Sequence, residues 1–323
     1  MNQLPPLFLE RLEKILAAQH FEQVKQTFYQ ERLVSFRLNS LKNPSPEIVQ
    51  ELQKVFTLTN VPWMKDAFLV QASERDKLTH SPYFKDGTIY IQNLSSMLPP
   101  LILNPTKFDR VLDLTAAPGS KTSLMSSLMG NEGEIAAVEI SRDRFFRMVQ
   151  NLKTLGVTNV KTFLKDGERV WKSTPELFDK VLIDAPCSTE SRFYIDDPET
   201  YAYWGMKKIK EMVKKQSRLL FSAVQSLKVG GTLVYSTCSF APEENEEVLD
   251  RILKKFEGKI ILEDFEIPLA NATPGLVEFS NKTYSPMLSR SKRILPDHAM
   301  EGFFLSKIKK VSSTLDLSDS NSY

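Results

Sequence analysis

The fold of this chain is decided by one stretch, Val111-Leu112-Asp113-Leu114-Thr115-Ala116-Ala117-Pro118-Gly119-Ser120-Lys121-Thr122. Three of its first four residues, Val111, Leu112 and Leu114, are apolar, which predicts a short buried strand. A helical pattern runs from Gly119 to Leu128. The small residues between them let the backbone approach a ligand closely, and the helix start offers free N–H groups. The stretch therefore predicts a strand, a ligand-binding loop and a helix.

The loop differs from both common glycine-rich phosphate motifs. It is neither GxGxxG, which binds dinucleotides, nor GxxxxGK[ST], which binds nucleoside triphosphates. Both classes of ligand are therefore disfavoured. Taken alone, the loop is equally compatible with a simple tight turn.

The order of strand, loop and helix repeats through the rest of the chain. We predict strands at Ile135–Val138, Val160–Leu164, Val181–Ile183, Thr232–Ser236, near Ile260–Ile267 and at Gly302–Ile308, and helices at Arg142–Leu155, Thr200–Leu227 and Glu243–Phe256. This alternation predicts an α/β fold with a doubly wound, mostly parallel sheet and helices on both faces. Ligands of such sheets bind beyond the carboxyl ends of the strands, where the strand order reverses.

Acidic residues follow the second and third of these strands. Glu139 lies twenty-odd residues after the loop, a spacing at which an acid binds ribose hydroxyls. Asp166 follows the third strand, where its carboxylate is able to accept a hydrogen bond from an adenine amine. Each residue alone is also compatible with a solvated acid or a turn. Together they predict a nucleoside pocket, and the pattern fits S-adenosylmethionine.

Two cysteines follow the fourth and fifth strands. The motifs are Asp184-Ala185-Pro186-Cys187-Ser188 and Ser236-Thr237-Cys238-Ser239, and the chain has no other cysteine. The count excludes a framework of several disulfides and any zinc site with three or four cysteines. Since both lie at strand ends, we expect them to face one cleft. The alternatives are buried small apolar residues, or a disulfide, which a cytosolic protein disfavours.

The first third of the chain has a different pattern. Apolar residues at helical spacing mix with strand patterns at Trp63–Val70 and Thr88–Ile91, which predicts a smaller α+β domain in residues 1–105. The alternating strands and helices occupy residues 106–310. Residues 311–323 are short, polar and rich in Ser and Asp, so we predict a disordered tail there.

Composition limits the kinds of partner. The chain has 323 residues, of which 41% are hydrophobic and 25% charged, and its net charge is +2. This charge excludes nucleic-acid binding by bulk attraction, but not by a local basic groove. Charged residues come too early for a secretory signal, and no window is apolar enough to span a membrane. We expect a cytoplasmic protein without a membrane partner.

These motifs resemble the RNA (cytosine-5)-methyltransferases of the NOL1/NOP2/Sun family. The similarity runs from Ser35 to Phe304 and is most specific in three segments: Ala116–Thr122, Asp184–Ser188 and Tyr235–Ser239. It implies a Rossmann-like class I methyltransferase sheet with an N-terminal RNA-binding domain. The stretch Tyr90–Pro99 is most similar to the bacterial F-type branch, which acts on small-subunit ribosomal RNA. The C-terminal modules of that branch have no counterpart in this sequence.

The resemblance also implies roles for particular residues. Cys238 would be the nucleophile, Cys187 would assist product release, and Asp184 would contact the target base beside the cofactor. The implied cofactor residues are Thr115, Ala116, Ala117, Pro118, Gly119, Ser120, Lys121, Glu139, Arg144, Asp166 and Asp184, and the implied RNA contacts are Arg37, Asn39 and Lys42. Arg144 is also compatible with a surface arginine that pairs with an acid. The RNA contacts are also compatible with the solvent-exposed face of a strand.

The chemistry explains why these residue types are needed. Carbon 5 of cytosine is a poor nucleophile until a thiolate adds at carbon 6, which is covalent catalysis. A carboxyl group at N3 assists this addition. A free thiol has an ordinary pKa near 8.5, so the site must lower it, and Lys121 is one candidate for doing so. The target base must leave its stack, so we expect an unpaired or locally melted site in a structured RNA as the substrate, ribosomal RNA first and transfer RNA next.

Two alternatives stay open at this point. A DNA cytosine methyltransferase would use the cysteine of a Pro-Cys motif, here Pro186-Cys187, as its nucleophile. A non-catalytic RNA-binding factor for ribosome assembly would keep only the fold.

The sequence also departs from the family at Thr115, Ser120, Glu301 and the Ser-Thr-Glu that follows Cys187. We expect a monomer that binds no metal, and a cationic face on the Thr200–Leu227 helix with Lys207, Lys210, Lys214 and Arg218 in line and Lys208 and Lys215 adjacent.

Overall fold

The computed structural model describes residues 3–315. The helices are α1 Pro6–Ile15, α2 Ala18–Gln26, α3 Ile48–Gln53, α4 Arg75–His80, α5 Pro82–Lys85, α6 Leu98–Leu103, α7 Ser120–Leu128, α8 Arg142–Thr154, α9 Met206–Ser226 and α10 Glu246–Lys255. The strands are β1 Val34–Leu38, β2 Thr59–Asn60, β3 Ala67–Val70, β4 Ile89–Ile91, β5 Arg110–Asp113, β6 Glu134–Glu139, β7 Val160–Leu164, β8 Phe178–Asp184, β9 Leu227–Thr237, β10 Ile260–Glu263, β11 Ala272–Pro274, β12 Glu278–Phe279, β13 Lys282–Thr283, β14 Lys292–Ile294 and β15 Phe303–Lys310.

The larger sheet has nine strands. Its main order is β11-β14-β15-β9-β8-β5-β6-β7, and β10 pairs with β15. The strands from β5 to β9 run parallel, whereas β15 lies antiparallel to β9. The chain moves from β5 to β6 on one side and returns to β8 on the other, so the order reverses beside β5. The predicted doubly wound α/β fold is confirmed, and the reversal places a ligand site at the carboxyl end of β5.

The buried strands are apolar on both faces because helices cover both. Val181 and Ile183 of β8 pack in the cluster that contains α9 and α10, whereas Leu182 packs in the cluster of α6 and α7. Val111 and Leu112 of β5 divide between the two clusters in the same way. This period of two along each strand explains the continuous apolar runs in the sequence. The sheet is therefore the middle layer of three.

A smaller antiparallel sheet is built by the first third of the chain, in the order β2-β3-β1-β4. Phe36 of β1 and Phe68 of β3 stack there at 5.6 Å and pack against α3. β3 is shorter than the predicted strand from Trp63, because hydrogen bonds from Met64 N to Val61 O and from Ala67 N to Met64 O make turns before it.

Helix α9 is the longest helix in residues 3–315, with 21 residues. It begins at Met206, later than the predicted Thr200, because a turn in which Trp204 N donates to Tyr201 O precedes it. One face packs on the sheet, while the lysines of its other face keep contact with water. In the part of the chain that the structure describes, no helix has the length and apolar character needed to cross a membrane.

The end of the described chain packs against the large sheet. The hydroxyl of Thr314 is fully buried, accepts from Lys310 Nζ at 2.7 Å and also bonds Gln225. The first five residues of the predicted disordered tail, 311–315, are therefore ordered, and the rest of that prediction lies outside the described residues. Helix α6, inside the predicted 1–105 domain, packs against β8 and β9. A domain boundary at residue 105 stays a prediction.

Candidate active site

A cavity of about 690 Å³ opens at the carboxyl ends of the parallel strands. This volume is in the range of pockets for small organic ligands. It is lined by all three predicted catalytic residues, Asp184, Cys187 and Cys238. All but one of the predicted cofactor residues line it as well: Thr115, Ala116, Ala117, Pro118, Ser120, Lys121, Glu139, Arg144, Asp166 and Asp184. The doubly wound topology thus brings together residues that lie up to 123 positions apart in the sequence (115 to 238).

Gly119 does not line the cavity, because it lies on the side of the loop that packs against α8. Its φ of 97° precedes α7, and a Cβ there would meet the Leu152 and Met148 side chains of α8 at 3.4 Å. This conformation favours glycine strongly over any other residue. Asp113 anchors the same loop by accepting from Thr122 Oγ1 at 2.7 Å, and its burial raises its pKa to about 6. The loop is therefore held open toward the cavity.

Glu139 and Asp166, the acidic residues at two strand ends, both line the cavity. Glu139 is 3% exposed, and its carboxylate accepts from Ser141 N at 2.8 Å. Arg144 lies 3.3 Å from that carboxylate and donates to Ala117 O at 2.6 Å, so it ties the acid to the loop. Asp166 accepts from Glu168 N at 3.0 Å and also faces the cavity. Two carboxylates on neighbouring strands beside a small-residue loop are hydrogen-bond acceptors that fit the hydroxyl and amine donors of an adenosine group.

The two cysteines lie side by side as free thiols. Their sulfurs are 3.3 Å apart. The hydrogen bond from Cys187 lowers the pKa of Cys238 against the opposing effect of burial, and the Arg192 guanidinium lowers it further. The same hydrogen bond, together with burial, raises the pKa of Cys187 well above its usual value. The environment therefore distinguishes an activated thiol, Cys238, from a protonated partner, Cys187.

Lys121 has a different partner from the one that the sequence suggested. Its ammonium group lies 2.6 Å from Asp184 Oδ2 and over the ring of Phe303 at 5.8 Å. The other carboxylate oxygen of Asp184 accepts from Ser236 Oγ at 2.9 Å. Lys121 therefore orients the carboxylate, while Arg192 is the cation that acts on the Cys238 thiol.

The predictions for Arg37 and Asn39 as RNA contacts are wrong. Both side chains are 1% exposed. Arg37 donates to Gln92 Oε1 at 2.9 Å and to Ser123 Oγ of α7 at 2.8 Å, and Asn39 donates to the carbonyls of Gly87 and Leu155, both at 2.9 Å. They connect the smaller sheet to α7 and to the end of α8, so neither side chain is on a solvent-exposed face.

Comparison with known proteins now places the chain. The family model described as 16S rRNA methyltransferase RsmB/F matches residues 100–309, and the model for the N-terminal domain of 16S rRNA methyltransferase RsmF matches residues 4–94. The chain belongs to the RsmB/F methyltransferase family. The resemblance to the NOL1/NOP2/Sun enzymes is confirmed, and the protein is an RNA methyltransferase.

Two curated relatives show the range of the family. The tRNA (cytosine(49)-C(5))-methyltransferase of Pyrococcus abyssi is 38% identical over 278 residues, which is 85% of this chain and 88% of that one. The ribosomal RNA small subunit methyltransferase F of Vibrio cholerae is 36% identical over 283 residues. That match covers 86% of this chain but 58% of the Vibrio protein, so this RsmB/F methyltransferase spans little more than half of that relative.

Solved structures agree on the fold. A methyltransferase homolog protein from Pyrococcus horikoshii has a TM-score of 0.80 at 35% identity and covers 94% of each chain. NSun6 from Pyrococcus horikoshii, solved with SFG, has a TM-score of 0.79 at 22% identity, over 96% of this chain and 99% of that one. The second similarity supports the fold alone.

Several cavity residues of this RsmB/F methyltransferase were missed by the sequence-based prediction. Tyr90 of β4 and Gln92 just after it line the cavity, although the sequence around them indicates only the family resemblance. From α9 come Lys208 and Lys215, which lie beside the predicted line of cations rather than in it. Lys42 is exposed and does not line the cavity, so its contact with RNA stays a prediction.

Proposed function

We propose that this RsmB/F methyltransferase transfers a methyl group from S-adenosylmethionine to carbon 5 of a cytosine in RNA, through a covalent adduct on Cys238. The observation that carries the proposal is the pair of sulfurs 3.3 Å apart, with the activated thiol in the same cavity as Asp184 and the loop after β5. A nucleophile, a carboxylate and a cofactor site are the parts that this reaction requires.

The cofactor would occupy the part of the cavity formed by the loop and the two acidic strand ends. Glu139 would bind the ribose hydroxyls, Asp166 the adenine amine, and the first turn of α7 the carboxylate of the amino-acid portion. Residues from all three line the cavity, which supports this arrangement. When bound, S-adenosylmethionine supplies an electrophilic methyl group on a sulfonium. Arg144 would hold the ribose acid against the loop.

The reaction would begin when the Cys238 thiolate adds to carbon 6 of the flipped cytosine. Electrons move to N3, which takes a proton from the pair of Lys121 and Asp184. Carbon 5 would then take the methyl group, the bond between that methyl group and the sulfonium would break, and S-adenosylhomocysteine would leave as a neutral thioether. Afterwards a base removes the carbon 5 proton, N3 returns its proton to the pair, and the bond between sulfur and carbon 6 breaks.

Cys187 is suited to remove the carbon 5 proton. Its pKa is raised first by its hydrogen bond to Cys238, then by burial and by the Cys238 charge. Once Cys238 has become a neutral thioether, the thiolate that accepted this bond and carried this charge no longer exists. The Cys187 thiol therefore becomes a stronger acid at the step where its thiolate is needed. It would release its proton to solvent and then take the carbon 5 proton, which couples adduct formation to release and returns Cys187 to its thiol form.

The RNA would reach the cavity between the smaller sheet and α9. Lys208 and Lys215 lie on one rim and both pair with Glu211, at 3.7 and 2.8 Å. Such exposed pairs are weak, so phosphates are able to replace the glutamate as their partner. The names of the relatives support ribosomal RNA and transfer RNA as substrate classes.

The two other functions have less support. A DNA-type enzyme would need Cys187 as the attacking thiolate, but its raised pKa keeps it protonated. A non-catalytic assembly factor would not need an activated thiol beside a complete cofactor cavity.

Methyl transfer to RNA is the direct test. We expect the purified protein and labelled S-adenosylmethionine to yield 5-methylcytidine in RNA from a strain that lacks the gene. Bisulfite sequencing of that RNA, before and after treatment, should show one cytosine that gains protection, which also distinguishes ribosomal from transfer RNA. Label in DNA, or protein that binds cofactor yet labels no RNA, would contradict the proposal.

Replacement of Glu139 by alanine should weaken cofactor binding. Two hydrogen bonds from ribose hydroxyls to a buried carboxylate would be lost, so we expect the Kd of S-adenosylhomocysteine to rise by about 10- to 100-fold. Isothermal titration calorimetry measures the change. Glu134→Ala, at the other end of β6, is the matched control, because Glu134 is exposed and pairs with Arg110 and Lys161 away from the cavity. Equal affinity in both variants would contradict the assignment.

A further inference from the structure

A buried polar cluster that the proposed mechanism does not use lies behind the two cysteines. It contains Glu190, which is 2% exposed, and Glu244, which is fully buried. Between them are Ser188 and Ser239, and each of these serines directly follows one of the two cysteines in the sequence. The cluster therefore connects the two loops on which the proposed chemistry depends.

Three contacts between oxygen atoms run in series through this cluster. Glu244 Oε2 lies 2.5 Å from Ser188 Oγ, Ser188 Oγ lies 3.1 Å from Ser239 Oγ, and Ser239 Oγ lies 3.0 Å from Glu190 Oε2. Each contact needs one hydrogen between its two oxygens. The two serine hydroxyls supply two hydrogens. The third must come from a carboxyl group, so one of the two glutamates is protonated.

Glu190 is the one that keeps its charge. Its carboxylate accepts hydrogen bonds from Phe240 N at 2.8 Å, from Ala241 N at 2.9 Å and from Trp204 Nε1 at 2.8 Å, in addition to the Ser239 hydroxyl. Burial raises the pKa of Glu190, but these donors and the Arg11 charge oppose that effect by stabilising the ionised form.

Glu244 is the one that carries the proton. Its Oε1 accepts from Ser188 N at 3.0 Å and from Gln216 Nε2 at 3.2 Å, whereas Oε2 has only a longer contact with Ser188 N, at 3.3 Å. Oε1 is therefore the main acceptor, and Oε2 is the oxygen that holds a hydrogen toward the Ser188 hydroxyl. Burial and the nearby Glu190 charge raise the pKa of Glu244 to about 7.

We propose that Glu244 is a neutral carboxylic acid that donates into a directed chain, from Glu244 through Ser188 and Ser239 to Glu190. This chain makes Glu244 a positioning residue that fixes the two cysteine loops at their sulfur spacing of 3.3 Å. The positioning half of this inference rests on the proposed methyl transfer; the protonation half does not.

Other titratable groups face Glu244 from the elements around it. From β9, Tyr235 donates its hydroxyl to the Glu244 carbonyl at 2.7 Å. From the loop after β8 come Glu190 and Cys187, and the Glu244 charge would raise the pKa of that thiol. From α1, Arg11 pairs with Glu243 at 2.7 Å and acts on Glu190. None of these partners replaces the hydrogen that Glu244 loses when it ionises.

The sign of the pH dependence follows from the raised pKa of Glu244. The protonated side chain stabilises the native state fully below the unfolded pKa, about 4.5, and this contribution disappears as the pH rises through about 7. At higher pH one of the three hydrogen bonds between Glu244 and Glu190 lacks its hydrogen, and the two buried carboxylates repel each other.

The experiment compares Glu244→Gln with Glu244→Ala. The glutamine amide donates to Ser188 Oγ at every pH, so we expect this variant to keep methyl transfer within about 3-fold of wild type near neutral pH. Between about pH 5 and pH 8, the melting temperature of wild type should fall by about 3 °C or more beyond any change in the melting temperature of Glu244→Gln. Glu244→Ala should lose at least about 10-fold in kcat, because the loops are no longer connected.

Glu246→Gln is the matched control. Glu246 is equally buried, but it pairs with the Arg293 guanidinium through both carboxylate oxygens, at 2.7 and 2.5 Å. Its neutralisation leaves a buried arginine unpaired, so this variant should melt lower than wild type at every pH.

The outcomes separate the parts of the proposal. If Glu244→Gln melts lower at every pH, as Glu246→Gln should, Glu244 is a carboxylate and the protonated chain is overturned. If Glu244→Ala is folded and keeps full kcat, the positioning role is overturned. If wild type methylates no RNA, the proposed function fails, while the melting curves still decide the protonation state.

Discussion

Replacement of Cys238 by alanine is expected to abolish methyl transfer, and replacement of Cys187 by alanine is expected to leave an RNA adduct that survives denaturation. The first variant has no thiolate to add to carbon 6, so turnover should fall on the order of 10⁴-fold or more. The second keeps the nucleophile but lacks the group suited to remove the carbon 5 proton. Labelled RNA that stays with the protein on a denaturing gel measures the adduct.

The pH dependence of adduct formation sharpens this prediction. The hydrogen bond from Cys187 is the main cause that lowers the pKa of Cys238. Its loss in Cys187→Ala should slow adduct formation at neutral pH, and the rate should recover as the pH rises. Cys187→Ser keeps a hydrogen-bond donor, so it should form the adduct faster than the alanine variant, yet still release it poorly.

The reverse pattern would overturn the assignment of the two thiols. If Cys238→Ala retains turnover and Cys187→Ala forms no adduct, Cys187 is the nucleophile, as in the DNA-type alternative. RNA with fluorine at carbon 5 is an independent probe, since fluorine cannot leave as a proton. With that RNA, wild type should accumulate an adduct at the same stage as the one that Cys187→Ala forms with ordinary RNA, methylated at carbon 5 and still bound to Cys238, but with fluorine in place of the proton.

The parts of the site that could be predicted from sequence are those that depend on local pattern and topology. The loop after β5 follows from its small residues. The convergence of Glu139, Asp184 and Cys238 follows because carboxyl ends of parallel strands share one edge of the sheet. Neither inference needs the position of any side chain from another layer.

The parts that could not be predicted depend on packing between distant segments. Arg37 lies in a strand that alternates apolar and polar residues, so the pattern indicated a solvent-exposed face. Helix α7, 86 positions away, buries it instead by accepting its hydrogen bond at Ser123. Arg192 lies after a strand end in an irregular loop, and no periodicity indicated that it would act on the Cys238 thiol. Long-range burial of polar groups leaves no local signature.

Replacement of Asp184 by asparagine is expected to lower kcat by about 10²- to 10⁴-fold. The carboxylate and Lys121 lie 2.6 Å apart. In the proposed mechanism N3 of the target base would take its proton from this pair, and an amide cannot relay that proton. The adduct should form as slowly as product, because addition at carbon 6 requires charge to be neutralised at N3. Single-turnover rates measured at saturating RNA and cofactor separate this effect from binding.

A second substitution separates chemistry from folding. The Lys121 side chain is 8% exposed, and Asp184→Asn removes the carboxylate that balances its charge. We therefore expect the free energy of unfolding to fall by about 3–5 kcal/mol. The double variant Asp184→Asn with Lys121→Met removes the unpaired charge and should melt higher than the single variant, but it should remain as inactive. If turnover returned together with stability, Asp184 would be needed for folding alone. If Asp184→Asn kept wild-type kcat, the proton at N3 would have to come from another group.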